Sequence, residues 1–196
     1  MPSQRHQRHQ RQPNAKPHRR LVVLVRHGQY DTTDTTNGRL TRVGREQASR
    51  TGQFLARASF DGMFTSNLPR ALETAALVGA GVRMEGRASP LLREGFPTKL
   101  KGYAATAASI AEDRARFEAA FERFFKKPVR RSTELVVCHG NIIRYFVCRA
   151  LGIAVRRWIQ LGTNHTGITR IVVKDNGDMG VASYNETSHL PRKLVT

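Results

Sequence analysis

Leu21-Val22-Val23-Leu24-Val25 runs directly into Arg26-His27-Gly28, and far along the chain Glu134-Leu135-Val136-Val137-Cys138 runs into His139-Gly140. Each is a short apolar run rich in β-branched residues, the pattern of a strand buried on both faces as in parallel sheets. In open α/β sheets the crevice at the carboxyl ends of the strands is where ligands bind. Two strand ends delivering His-Gly, one beside an arginine, therefore point to an anion site that holds two imidazoles.

Around those strands the chain alternates strand and helix. A polar loop spans Tyr30 to Arg39. Thr41 to Arg57 reads as a helix, with Val43, Thr51, Phe54 and Leu55 turned inward. Met63-Phe64-Thr65 reads as a strand, Ser66 as an N-cap and Pro69 as a first-turn residue of a helix ending near Gly79 and Gly81. A weak strand is expected over Val82 to Glu85, then an irregular stretch from Arg93 to Tyr103. A long helix over Ala105 to Phe125 carries Ile110, Phe117, Phe121, Phe124 and Phe125 at helical spacing, so its aromatic stripe belongs to the core, and Pro128 ends it. Ile142 to Leu151 is an apolar helix, and Asp175-Asn176-Gly177 is a type I′ hairpin signal. The alternation predicts an α/β fold of three layers, a mostly parallel central sheet flanked by helices, with a C-terminal hairpin.

The 196 residues suffice for one domain with a full core. Residues 1–20 hold six Lys/Arg and no acid among Gln, His and Pro, too little apolar surface to offset ordering entropy. They are expected to form a disordered basic tail before a domain over 21–196. The net charge of +18 favours anionic partners in general, including weak polyanion contact through the tail. No apolar stretch is long enough for a transmembrane segment, and no secretory signal is visible. Cys138 and Cys148 show no zinc or disulfide spacing, so a reduced compartment is expected, cytoplasmic by default with mitochondria as the alternative.

Phosphoryl transfer to a side chain needs a nucleophile, cations on the equatorial oxygens and an acid for the leaving oxygen. Arg26 and His27 supply the first two, with neighbouring guanidinium groups keeping the imidazole neutral. Gly28 lets the backbone turn and approach the phosphate. Arg70, in the first turn after a strand-end Ser66, suits bidentate phosphate binding. Glu94 sits in a loop position suited to a crevice. His139 alone reads as a buried structural histidine; together with His27 it reads as catalytic and phosphate-binding. A zinc or dinuclear site is disfavoured, because neither histidine has further ligands at metal spacing. His165 with Asn164 reads as a cap before a late strand sooner than a substrate contact. Lys99 and Lys101 either face solvent or recruit acidic phosphopeptides.

Five ordered motifs carry a resemblance: V-R-H-G at Val25 to Gly28, L-T-x-x-G-x-x-Q-A at Leu40 to Ala48, S-x-x-x-R-A-x-x-T-A at Ser66 to Ala75, L-x-E-G at Leu92 to Gly95, and H-G at His139. Together they resemble the histidine phosphatase, or phosphoglycerate mutase-like, superfamily over Leu21 to Thr196. Within it, Cys138 to Tyr145 and Val147 to Leu151 are most similar to the branch of mitochondrial serine/threonine-protein phosphatases. The resemblance implies a phosphohistidine on His27, a pocket of Arg26, Arg70 and His139, Glu94 as proton donor and then base, and no metal or cofactor. It implies a phosphomonoesterase for phosphoserine or phosphothreonine in proteins. A small-molecule phosphatase of the same fold is the alternative, and a basic polyanion-binding adaptor the alternative outside enzymes. Gln29-Tyr30-Asp31 and a Thr/Asp loop stand where mutases carry an Asn and an E-R-x-Y-G insertion, which argues against mutase chemistry. The single tryptophan, Trp158, lies inside the domain and not in an N-terminal assembly motif, and a homodimer stays open as an assembly.

Overall fold

A computed structural model describes residues 18–34 and 37–196. Most of the stretch expected to be a disordered tail, residues 1–17, lies outside the described residues, as does Thr35-Thr36 of the polar loop. Six strands form one sheet: β1 (Arg19–Arg26), β2 (Gly62–Ser66), β3 (Arg87–Ser89), β4 (Ser132–Cys138), β5 (Ile168–Lys174) and β6 (Met179–Glu186). Their order is β3-β2-β4-β1-β5-β6. The first four in that row run parallel, while β5 lies antiparallel on β1 and β6 antiparallel on β5. The sheet is mostly parallel, as expected, and its antiparallel edge is the C-terminal hairpin.

Helices α1 (Arg42–Leu55), α2 (Pro69–Val82), α3 (Ala107–Phe124) and α4 (Gly140–Ala150) make the outer layers. Alternate strand residues feed different layers. Val22, Leu24, Val136 and Cys138 pack with Phe117, Phe124 and Phe146 of α3 and α4. Val23, Val25, Leu135 and Val137 pack with Leu55 of α1 and Ala71, Ala75 and Val78 of α2. Burying one such aliphatic side chain is worth about 1.5–3 kcal/mol, so a polar residue anywhere from Val22 to Val25 would be rejected from either face.

Several boundaries differ from the sequence-based expectation. Helix α2 does not stop at Gly79 and Gly81 but takes up Val82, ending on Arg83 in the left-handed region at φ 59°. Gly81 is instead a packing glycine: a Cβ there would overlap the backbone of Gly52, where α1 and α2 cross. The expected strand at Val82 to Glu85 is consequently displaced to Arg87–Ser89. Ser66 does not cap α2; the N-cap is Leu68, without a side-chain bond. Phe54 is 42% exposed and rests on the His189 ring instead of entering the core. The hairpin turn has a positive φ at Gly177 alone, and the Gly177 amide donates to the Lys174 carbonyl. A type I turn with a left-handed glycine fits that pattern, since type I′ would need positive φ at both central residues.

Candidate active site

Parallel register decides where the two histidines meet. Arg26 is paired with Cys138, and the His27 amide donates to the Cys138 carbonyl at 2.9 Å. The residue after each strand end therefore emerges side by side, and the His27 and His139 rings lie 5.0 Å apart. Both are buried. Helix α2 leaves the neighbouring strand β2 and brings Arg70 over the same edge, where its Nε donates to His27 Nε2 at 3.3 Å.

Two partners fix the tautomer of His27. Its Nδ1 faces the Gly28 carbonyl at 2.8 Å, and a carbonyl only accepts, so Nδ1 carries the proton. Nε2, facing a guanidinium donor, holds the lone pair. Burial, then the charges of His139 and Arg26, keep the pKa of His27 well below the usual imidazole value. The ring is neutral at pH 7 and presents Nε2 as an electron-pair donor beside an arginine.

His139 has a different setting. Its Nε2 lies 2.7 Å from Ser66 Oγ, which also accepts from the Leu68 amide at 3.3 Å. Its Nδ1 is buried with no hydrogen-bond partner. Burial first, then Arg70 and Arg26, depress its pKa well below the usual range. If the Ser66 hydroxyl donates to Nε2, the ring proton sits on Nδ1, ready for an anion's oxygen. The strand-end serine thus serves an imidazole, a task that sequence reading missed because β2 and β4 become neighbours only in the folded sheet.

Glu94 is half-buried and joins the cluster through the start of α4: the Asn141 amide donates to its Oε1 at 3.2 Å and the Gly95 amide at 3.3 Å. Burial raises its pKa, and the charges of Arg26 and Arg70 together with those two amides oppose the rise without cancelling it. Arg116 braces the loop, donating to the Arg93 carbonyl at 2.5 Å and the Glu94 carbonyl at 3.1 Å.

Arg26 donates to the Thr163 carbonyl at 2.5 Å and to His165 Nε2 at 3.2 Å, while its own Nε is buried without a partner. Accepting from a guanidinium places the His165 proton on Nδ1, which donates to Thr196 Oγ1 at 2.9 Å. Burial and Arg26 bring the His165 pKa down to about 4. Its ring is 5.6 Å from that of His27, so it lines the site and is not merely a cap. Tyr30 completes the wall, edge-on to His27 at 5.1 Å with the Arg70 guanidinium 4.7 Å over its ring. Neither residue belonged to the sequence-derived site; the only signal was their adjacency to recognisable segments.

Gly28 does not use a left-handed backbone conformation. A Cβ on it would stand 2.5 Å from the Gly44 carbonyl oxygen, and one on Gly44 would overlap Gln29, so two glycines let α1 lie directly against the loop after β1. The Gly28 amide donates to Thr74 Oγ1 at 3.0 Å, tying the loop to α2 as well. Arg26, His27, Gly28, Arg70, Glu94 and His139 are therefore all in one place, drawn from four separate stretches of chain. Among the described residues, no group of three or more His, Cys, Asp or Glu is placed to hold a metal ion.

The fold and this edge of the sheet define the class, that of histidine phosphatases. The profile of the histidine phosphatase superfamily (branch 1) matches residues 22–108 and 96–187, and the chain belongs to that superfamily. It is 35% identical over 192 residues to the mitochondrial serine/threonine-protein phosphatase Pgam5 of Drosophila grimshawi, and 35% identical over 190 residues to that of Mus musculus. Each alignment covers 90% of this chain and 66% of the relative, so the chain spans about two thirds of their length. Among solved structures, the phosphoglycerate mutase of Plasmodium falciparum superposes with a TM-score of 0.64 at 29% identity, covering 89% of this chain and 96% of that one.

Proposed function

We propose that this chain is a phosphomonoesterase that passes the phosphoryl group through His27, with phosphoserine or phosphothreonine in proteins as substrate. The observation that carries the reading is the neutral, tautomer-fixed His27 whose Nε2 faces Arg70, with a second imidazole 5.0 Å away.

In the first step Nε2 of His27 attacks phosphorus in line, the P–N bond forming as the ester P–O bond breaks. The leaving oxygen takes the proton of the Glu94 carboxyl group. Nδ1–H stays on the Gly28 carbonyl and shares the positive charge that develops on the ring. Arg26, Arg70 and the Nδ1–H of His139 hold the equatorial oxygens, with Gly28 keeping the loop close. In the second step water attacks phosphorus, its proton goes to the Glu94 carboxylate, and the P–N bond returns its electron pair to Nε2. A serine or threonine alkoxide is a poor leaving group, so a carboxyl group whose pKa is raised by burial fits that substrate class. The protein cations would supply the charge neutralisation that other phosphoryl-transfer sites take from metals. No cofactor enters the scheme.

The protein-substrate part draws on the two Pgam5 relatives and on Glu94. Alkaline-quench trapping with ³²P-labelled phosphopeptide tests it: wild type should carry an acid-sensitive, base-stable label that His27→Ala lacks. Small sugar or acyl phosphates turning over orders of magnitude faster than peptides would replace the protein substrate with the small-molecule alternative. The cytoplasmic location is opposed by the mitochondrial naming of the relatives, and imaging of the tagged full-length protein decides between them. Among the described residues no helix is long and apolar enough to cross a membrane. Gel filtration tests the homodimer, and salt-dependent polyanion binding with and without residues 1–20 tests the tail.

A further inference from the structure

A cleft of about 730 Å³ opens off the phosphate site and shares Tyr30, Arg70 and Glu94 with it. It is far larger than a phosphoryl group needs, and within the range of sites that enclose a sizeable ligand. Its far walls come from the Arg93–Tyr103 stretch, from α4 and from the turn after it. Tyr103 is 58% exposed against Phe96, and Ile159 is 48% exposed. Both line the cleft, so its outer part offers apolar surface beside the ionic site.

The charges of the cleft are unbalanced. Its two carboxylates are already engaged: Asp113 pairs with Arg116 and accepts from the Phe96 amide at 2.8 Å, and Glu94 accepts two amides. Its outer cations are not matched in kind. Among the described residues neither Arg93 nor Arg144 forms an ion pair with a carboxylate. Arg144 is held in place, its NH1 donating to Asn141 Oδ1 at 3.2 Å and its guanidinium 5.7 Å over the Trp158 ring. Trp158 is itself pinned by Nε1 donating to Thr98 Oγ1 at 2.8 Å. The Arg144 Nε is buried with no partner. An aromatic shelf, an Asn brace and the Tyr184 hydroxyl therefore fix a guanidinium that has no carboxylate partner among the described residues, in a cleft next to the phosphate site. Both arginines are close enough to act on the site: Arg144 lowers the pKa of Arg26, and Arg93 that of His139.

We propose that this cleft selects phosphopeptides carrying an acidic residue beside the phosphorylated one, with Arg144 and Arg93 receiving the carboxylate and the Tyr103–Ile159 rim covering the adjoining backbone. The inference rests on the protein-phosphatase reading and narrows its substrate class. Planar guanidinium groups take carboxylates in two-pronged fashion, which favours Asp or Glu over a merely polar neighbour. Lys99 is exposed, as is Lys101 on the same stretch, so they add to the field without being fixed.

The test compares kcat/KM for a phosphoserine peptide with flanking Glu and for the same peptide with flanking Ala, using wild type, Arg144→Gln, Arg93→Gln and Arg57→Gln. Arg57, beyond the far end of α1, removes the same charge outside the cleft. The expected result is an acidic-to-neutral ratio of about tenfold at low salt in wild type and Arg57→Gln. The ratio should fall toward one in Arg144→Gln and drop in part in Arg93→Gln. Because it is a ratio, a general loss of activity in a variant cancels. Equal rates for the two peptides in wild type overturn the inference and leave the protein-phosphatase reading standing. A preference that survives in both cleft variants overturns it in favour of the general field of a +18 chain. Hydrolysis of p-nitrophenyl phosphate with neither peptide accepted removes both readings.

Discussion

The ends of β1 and β4 carry the same dipeptide on the same edge of the sheet, yet their imidazoles are held differently. Both nitrogens of His27 are engaged, one by its own neighbour's carbonyl and one by a guanidinium from α2. His139 is held by one nitrogen only, through a serine hydroxyl, and the other is buried and unmatched. Equivalent position in a parallel ladder does not make two residues equivalent in chemistry. What separates them is the partner each nitrogen meets: a carbonyl acceptor leaves the lone pair of His27 on Nε2, the arrangement the proposed nucleophile needs, while a hydroxyl on one nitrogen of His139 leaves the other open, the arrangement the proposed anion contact needs.

The largest expected effect falls on the nucleophilic side of that contrast. His27→Ala should lower kcat by at least about 10⁴-fold and abolish the trapped label. If label and turnover survive with His139→Ala as the inactive variant, the two roles are reversed. Next comes the acid. Glu94→Gln should cost roughly 10²–10⁴-fold on alkyl phosphates and much less on aryl phosphates, whose leaving groups need no proton. In wild type the raised pKa of Glu94 also predicts that kcat/KM on alkyl esters declines as pH rises through that value, and the decline should vanish in Glu94→Gln. Equal losses on both ester types would remove Glu94 from the acid role.

Ser66 gives a smaller effect that sharpens the comparison. Ser66→Ala leaves His139 Nε2 without a partner, a cost of about 1–3 kcal/mol for a buried polar atom, which we expect to appear as about a tenfold loss in kcat. Ser66→Thr, which restores a hydroxyl, should recover part of it, whereas a simple packing defect would not be rescued by the bulkier residue. The smallest effect is on stability. Both imidazoles have folded-state pKa values below the ordinary 6.5. Below about pH 6.5 the unfolded chain therefore binds more protons than the folded one, and stability falls as pH falls, on the order of 1 kcal/mol per histidine for each pH unit. Denaturant midpoints between pH 7 and 5 should move less in His139→Gln than in wild type. An unchanged slope would mean that this ring does not stay neutral in the fold.

Much of the sheet was legible because β1 and β4 are uninterrupted apolar runs, and the Phe117 to Phe125 stripe marks α3 by period alone. The short third strand was not legible: Arg87-Ala88-Ser89 has no alternation and little to bury, so nothing in its composition distinguishes it from a loop. Val82 misled because it looks like the start of a strand, while Gly79 and Gly81 look like helix terminators. The actual task of Gly81, letting α1 and α2 touch, depends on Gly52 from a distant segment, while Gly79 leaves room for the Met84 carbonyl just past the helix end. The site divides in the same way. Arg26, His27, Arg70 and His139 could be placed from strand and helix ends. Ser66 and His165 gain their meaning from His139, Arg26 and Thr196, all more than thirty residues away, as Tyr30 does in part from Arg70, and a local reading has no access to those.

The position of β1 in the sheet reaches beyond catalysis. The first of the described strands to be translated, β1, stands fourth in the row of six: it is an inner member whose hydrogen-bonding partners, Ser132–Cys138 and Ile168–Lys174, are translated more than a hundred residues later. A nascent chain must carry Leu21 to Val25 unpaired until β4 and β5 have emerged, which makes that segment the natural target for a holding chaperone and the point where stalled synthesis would seed aggregation.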